Sequence, residues 1–448
     1  MYQIDLPNYM SISGERKEYL KNNANALLNK YKLIKYIDEE YYPREKIKYL
    51  ECPKEFKNSE ELYFTISYLR KWNITPVKNL KWEYFTLNIP PFVQKILSDL
   101  DRKGVESSAW MSFTQSEKIY LSNEWIIEEA ISSSQIEWAQ TTANIAKDII
   151  IKNKEPKNKY ETMIVNNYRT MLFIRNEIND AILSEQLLLD LQAMLTKNTL
   201  EDPQKCWRFR NDNDNIIIMN WVSWDIYHIP PKEDIMKSEI KSLIDFANDK
   251  DEIFIHPFVK ATILHFWIWY LHPFCDWNWR TARAIFYRYL NKKWYTDFTY
   301  IPISRVINNS KKQYWMSYIY SEQENNDLTF FLVYIAQKTQ QAFEEYRKFI
   351  IKQKEYNQNI QKMILSLYKK SLNERQISLV YYFIENQDKY TNITMYKNQY
   401  LVSPNTAKTD IYWLRDIWLL QSRHIWNFIN YYPTNKLLNL RCTFKDIK

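Results

Sequence analysis

Left-handed turns, helix stops and loops that close around phosphate all draw on glycine, because only a residue without a Cβ enters positive φ at little steric cost. This chain has 2 glycines in 448 residues and 17 tryptophans. Ordinary usage of about 7% would supply roughly 31 glycines. A fold so short of glycine must make its turns on other residues or be written in a code that hides them. The richness in Lys, Asn, Ile and Tyr fits an AT-rich gene, which thins glycine codons but does not raise tryptophan. The two counts taken together come to a low yet acceptable glycine content. One reading is therefore that UGA is reassigned to glycine in the source, so that many of these tryptophans are glycine in the native protein. The other is an aromatic-rich protein with a degenerate site. The first is favoured because the tryptophans fall where turns belong.

The length suits two or three domains, and 46% apolar residues are ample for buried cores. No run of eighteen apolar residues occurs, and the first ten residues lack the basic-then-apolar order of a signal peptide, so the expectation is a cytoplasmic protein without membrane contact. Cys52, Cys206, Cys275 and Cys442 have no metal-ligand spacing, which suits a reducing compartment. A net charge of +8 permits nucleotide or nucleic-acid binding without requiring it.

The stretch His272-Pro-Phe-Cys-Asp-Trp-Asn-Trp-Arg-Thr-Ala-Arg283 packs a histidine, a carboxylate, an amide and two arginines into a short span. A histidine takes a proton near neutral pH, an aspartate holds a hard cation, and arginines clamp phosphates. Apolar runs at 261–271 and 282–290 read as helices on either side, so the stretch is a loop that opens a helix, and helix N-termini bind anions. It resembles the signature of the Fic family, His-Pro-Phe-x-Asp/Glu-Gly-Asn-Gly-Arg-x-x-Arg. Every position that bears a side chain matches, and both glycines are tryptophan, Trp277 and Trp279.

That resemblance implies a mainly α fold: a Fic-type helical catalytic domain with a short β-hairpin flap, plus a C-terminal winged helix-turn-helix. It implies a nucleotidyltransferase that moves AMP from ATP to a Ser, Thr or Tyr hydroxyl of a target protein. By the family's pattern His272 is the general base, Asp276 the Mg²⁺ ligand, and Asn278 and Arg280 position phosphates. Arg283 holds the γ-phosphate, and the backbone at Trp277 and Trp279 lines the nucleotide. Two indoles there would obstruct a phosphate cradle, which needs backbone N–H groups close to the anion. If the tryptophans are genuine, the alternative is an inactive Fic scaffold acting as a winged-helix DNA-binding regulator.

Along the chain, residues 1–115 read as helical and irregular, with the phrase at 80–85 resembling a packing region of longer Fic proteins. Catalytic organisation is expected over 116–350. Within it 124–138 reads as a helix that a glycine, not a tryptophan, should stop at 138. It resembles the family's inhibitory helix, with Ser133 and Glu137 on one face by their i,i+4 spacing. The resemblance implies that Glu137 keeps Arg283 from the γ-phosphate, and some relatives with this glutamate also remove AMP. Helices are expected near 158–179 and 184–197, and a flap strand at Ile216-Ile-Ile-Met219 that could dock a target segment edge-on. His256 opens the helix before the signature, and His265 within it reads as a satisfied core histidine. Further helices are expected at 309–320 and 327–353, with Asn308, Asn309 and Tyr314 as candidates for an adenine pocket, then a charged, helical connector at 345–370.

At 371–448 Asn373 and Ser403 read as helix caps, with Pro404 at N1 and Ala407, Ile411 and Leu414 as a core face. Strands at 419–424 and 427–432 complete a pattern that resembles a winged helix-turn-helix, with Trp418 and Trp426 at its glycine turns. DNA is one partner open to the 404–416 helix and a protein contact is the other. A homodimer is compatible with all of this.

Overall fold

Among the described residues helices predominate, and strands occur as three separate two-stranded pairs. The computed structural model describes residues 9–71, 75–79, 84–106, 115–137, 139–178, 181–219, 224–250, 254–295, 298, 301–368, 372–425 and 428–438. Backbone contacts group the chain into two units. One comprises 1–102, 172–296 and 306–341, and the other 103–171, 297–305 and 342–448. Among the described residues no helix is long and apolar enough to cross a membrane.

In the first unit, helices Gly14–Lys30 and Ser59–Lys71 close a small core around Leu20, Leu28, Ile47, Leu62 and Ile66. Strand Thr75–Asn79 then pairs antiparallel with Tyr84–Leu87, with a bulge between Pro76 and Lys78. Sequence reading gave only helical and irregular structure here, because strands this short, one of them carrying a proline, show no sustained alternation. Residues 80–83 lie outside the described residues. Phe85 is fully buried and meets Phe266, Trp267 and Tyr270 edge-on.

The centre of this unit is a pair of packed helices, Pro257–Leu271 and Asn278–Lys292. The first starts with Pro257 at N1, where its missing N–H costs nothing, and with the His256 ring accepting from Phe258 N–H at 3.2 Å. It is apolar on all sides, the signature of a helix enclosed by protein, and nearly all of it is buried. His265 is buried on this helix and bonds the Tyr314 hydroxyl at 2.9 Å, the satisfied core histidine that was expected. Burial, then the Arg283 charge, pushes its imidazole well below the ordinary range.

Beyond the pair, helix Lys311–Gln323 is followed by Thr329–Tyr368, one continuous helix of 40 residues that takes in both the helix expected at 327–353 and the helical connector expected at 345–370. No proline, glycine or cap residue breaks this span, so a change from apolar to charged composition alters its environment and not its backbone.

In the second unit, helix Gln115–Ile136 precedes Ala143–Lys152, whose Thr142 cap accepts from Ile145 N–H and whose end turns on left-handed Asn153. The Glu129 carboxylate accepts from Ser304 N–H at 3.0 Å and from the Ser304 hydroxyl. At the C-terminal end come helices Glu374–Glu385, Ile393–Tyr400 and Pro404–Asp416, then strands Leu420–Ile425 and Phe428–Pro433 paired in register. Thr391 bridges Tyr431, adding one rung beside the hairpin. Asn373 forms a capping box with Gln376, and Ser403 caps a helix with Pro404 at its first turn, as their spacing required. Ala407, Ile411 and Leu414 are fully buried. Asp410, also buried, accepts from Arg375 at 2.7 Å, Asn373 at 2.6 Å and the Tyr396 hydroxyl at 3.1 Å. Asn405, Lys408 and Thr409 face outward. Trp426 and residues 439–448 lie outside the described residues.

Candidate active site

His272 ends helix Pro257–Leu271 in the left-handed region, at φ 45°. A helix leaves its last carbonyls without intrahelical partners, and a buried end must find them elsewhere. Here each is found. The His272 ring places Nδ1 3.0 Å from the Trp269 carbonyl. His228 Nε2 donates to the Tyr270 carbonyl at 2.8 Å, while its Nδ1 faces both oxygens of Glu322 at 2.9 Å. Arg210 donates from Nε to the His272 carbonyl at 2.7 Å and from Nη2 to the Leu271 carbonyl at 3.2 Å and to that of Pro231. Its own N–H donates to Pro273 at 2.9 Å.

The carbonyl on Nδ1 fixes the chemistry of His272. A carbonyl only accepts, so Nδ1 carries the hydrogen and Nε2 presents a lone pair. Burial pushes the imidazole down to about 3, against the Trp269 carbonyl, with His228 and Arg210 adding to the depression. The ring is thus a neutral base at physiological pH. Beside it, Cys275 is half-buried and its thiol is raised to about 11, chiefly by burial and then by Asp214, so it is no nucleophile.

The loop after His272 is braced from within. Asn278, fully buried at the start of helix Asn278–Lys292, accepts from Phe274 N–H at 2.9 Å and donates to the Phe274 carbonyl at 2.8 Å. The Asn278 amide thereby fixes the loop through the backbone of Phe274. Phe274 stacks on Phe209 at 5.5 Å. Asp276 is exposed and accepts from Trp277 N–H at 2.7 Å. Arg280 and Arg283 are buried, and the Arg280 guanidinium lies 4.0 Å over the Trp277 ring. Trp279 is buried among Trp269, Tyr314, Trp315 and Tyr318 at ring distances of 5.8, 5.4, 4.2 and 4.8 Å. As written, one indole covers Arg280 in the first turn of the helix. The other fills the aromatic wall that includes Tyr314.

Next to the signature, strand Ile218–Met219 pairs with Ile226–His228. The turn before it is pinned by Arg208 on both oxygens of Asp214 at 2.8 Å and by an Asn211–Asp214 capping box. The Arg208 fork holds the Asp214 carboxyl far below the usual range. Sequence reading placed the flap but missed Arg210 and His228. The available signal was position, since both flank the predicted strand. What they grip is a helix end that is distant in sequence.

Several tryptophans adopt a conformation that tryptophan seldom takes. Trp207, Trp224, Trp277, Trp294 and Trp418 all have φ between 60° and 65°. Most other non-glycine residues in that region are Asn153, Asn198, Asn215, Asp249, Asn325 and Asn326, the types that tolerate it. Trp294 and Trp418 occupy the glycine position of full Schellman closures. Trp294 N–H bonds Asn291 O and Tyr295 N–H bonds Leu290 O, each at 3.0 Å, and Trp418 and Leu419 repeat the pattern on Arg415 and Leu414.

In the second unit, Ser133 is buried near the end of helix Gln115–Ile136, and Glu137 follows half-buried. Ala139 N–H reaches the Ser134 carbonyl at 3.1 Å, while Trp138 lies outside the described residues.

A helical core around a base-bearing loop that opens a helix is an arrangement shared with known proteins. Residues 182–290 match the Fic/DOC family, and the chain carries a Fic/DOC family domain. It is 24% identical over 119 residues to "Protein adenylyltransferase Fic" of Nematostella vectensis, covering 27% of this chain and 26% of the relative. It is 34% identical over 56 residues to "Protein adenylyltransferase fic-1" of Caenorhabditis elegans, covering 12% and 11%. The chain thus spans about a quarter or less of the length of these curated relatives. A solved structure of Fic-1 from C. elegans shares the fold at a TM-score of 0.52 and 15% identity, covering 77% of this chain and 91% of that one.

Proposed function

We propose that this chain transfers AMP from ATP to a Ser, Thr or Tyr hydroxyl of a protein. The observation that carries the reading is His272, held neutral with Nε2 as the basic nitrogen at the head of a Fic signature loop. The hydroxyl oxygen bonds the α-phosphorus, the bond from that phosphorus to the bridging oxygen of the β-phosphate breaks, and pyrophosphate leaves. The hydroxyl proton passes to His272 Nε2. Arg280 and Arg283 face the triphosphate, and the N–H groups that open helix Asn278–Lys292 stabilise charge on the α-phosphate. The strand Ile218–Met219 seats the target segment as an added strand. Ser133 and Glu137 restrain the reaction, and removal of AMP belongs to the same site.

Asp276 is the acid that would hold Mg²⁺. Among the described residues no three His, Cys, Asp or Glu side chains cluster to hold a metal by themselves. A hard cation that keeps phosphate and water oxygens needs only one or two carboxylates, so one exposed aspartate at the mouth of the helix fits it. Bound there, the ion would neutralise phosphate charge.

Competence requires glycine at 277 and 279, and five tryptophans at positive φ support glycine as the native residue at turns of this chain. The experiment is incubation of Trp277→Gly, Trp279→Gly protein with α-labelled ATP, Mg²⁺ and a lysate of proteins. Label on protein supports the reading, and its absence at every ATP concentration opposes it. A second reading is favoured by the outward Asn405, Lys408 and Thr409 on the helix after Ser403 and by the exposed strand Leu420–Ile425. In it the C-terminal module is a winged helix that binds DNA while the Fic domain is inactive. A fluorescent random-sequence duplex titrated at two salt concentrations tests it, since phosphate contacts weaken with salt.

A further inference from the structure

We infer that Arg210 is a positioning residue for His272, an inference that rests on the transfer reading above. Arg210 is buried, and its donors reach four backbone carbonyls, those of Pro231, Leu271, His272 and Pro273. Three of these are consecutive, and the base is the middle one. The cation therefore sits at a helix C-terminus, where the macrodipole favours it, and holds the one left-handed residue on which the ring direction depends. The His272 ring bonds the carbonyl of Trp269, one turn back, so ring and backbone are fixed by adjoining parts of one capped turn. His228 takes the carbonyl between these sets, Tyr270, and completes the cap.

Arg210 touches no reacting atom. Its effect on chemistry must pass through the place and tautomer of the His272 ring. Without it, three carbonyls lose their donor, two of them at a buried helix end, and the left-handed turn can relax. A misplacement of about 1 Å costs on the order of a hundredfold in rate while leaving nucleotide contacts in place. The same segment carries Phe209 onto Phe274 and leads into the strand Ile218–Met219, so base alignment and the flap share one anchor.

The test uses the full chain with Trp277→Gly and Trp279→Gly as parent, labelled with ¹⁵N-histidine. Five histidines in the sequence keep the ring signals separable. In the parent, His272 should show one tautomer, protonated at Nδ1. Arg210→Ala should lose that single signature and lower kcat at least tenfold, with KM for ATP within about twofold, and Arg210→Lys should fall between. A kcat within twofold of the parent with an unchanged His272 signature overturns the proposal. If Arg210→Ala does not fold, Arg210→Lys decides by the same two measures at an unchanged melting temperature. If the parent transfers nothing, the transfer reading fails by itself, and the ring signature still decides for or against Arg210.

Discussion

At the scale of single residues, His272 joins function to stability. Its folded ring takes a proton only near pH 3, while the unfolded ring does so near 6.5. Between those values the unfolded chain binds more protons, so stability falls as the pH drops below 6.5. From pH 7 to 5 the loss from this residue is about 2 kcal/mol. His265 is shifted in the same direction and adds to it. Urea unfolding of wild type and His272→Gln at both pH values checks this. The variant should lose about 2 kcal/mol less between them, and equal losses would show that the ring is not buried neutral. In the transfer assay His272→Ala should abolish labelling while ATP binding persists, and undiminished labelling would remove His272 as the base. The proposal of His272 as the base came from the sequence, because the signature places a histidine there. The tautomer of its ring was not legible there, because the Trp269 carbonyl is presented by helix geometry, and Arg210 and His228 meet the turn only through the tertiary fold.

Helix ends carry the clearest evidence at the scale of elements. Holding an L-residue in the left-handed region costs about 1–2 kcal/mol, so five tryptophans there cost on the order of 5–10 kcal/mol, comparable to the ~5–15 kcal/mol that stabilises a whole protein. Trp294 and Trp418 are 79% and 74% exposed, so little packing offsets the strain. Trp294→Gly and Trp418→Gly should therefore each stabilise this chain by about 1 kcal/mol, read as a rise in melting temperature, whereas glycine at a position of negative φ destabilises by loosening the unfolded chain. A fall for both would mean that the indoles make contacts worth more than the strain. Caps that are side chains were legible beforehand: Asn373 and Ser403 begin helices where their spacing placed them. The hairpin at Thr75–Asn79 and Tyr84–Leu87 was not, because what holds it is Phe85 seated on the Pro257–Leu271 helix. Helicity along Thr329–Tyr368 was legible, and only its division into a helix and a helical connector was not, because composition changes along it while the backbone does not.

For the whole molecule, the proposed restraint and the residues at 277 and 279 both decide whether activity is seen. Glu137→Gly should raise protein labelling about tenfold, the effect of removing about 1.4 kcal/mol of competition with productive binding. Unchanged labelling across a range of ATP concentrations would count against restraint by Glu137. The larger question is which protein the cell makes. Tryptophans inside helices, such as fully buried Trp267, sit where an indole belongs, whereas those at positive φ sit where a glycine does. Recoding of one codon predicts this mixture, and an aromatic-rich chain with genuine tryptophans throughout does not. The native gene should carry UGA at 207, 224, 277, 294 and 418, where φ is positive, and at 279, where the resembled signature has glycine, and UGG at 267. Protein purified from the native host and digested should yield a 272–283 segment with glycine at both 277 and 279 by mass spectrometry. Protein made literally should bind ATP–Mg²⁺ poorly and transfer nothing, because the Trp277 ring lies on Arg280. Intact tryptophan at 277 in native peptide would refute the recoding. Transfer by the literal protein would refute the account of the loop as well.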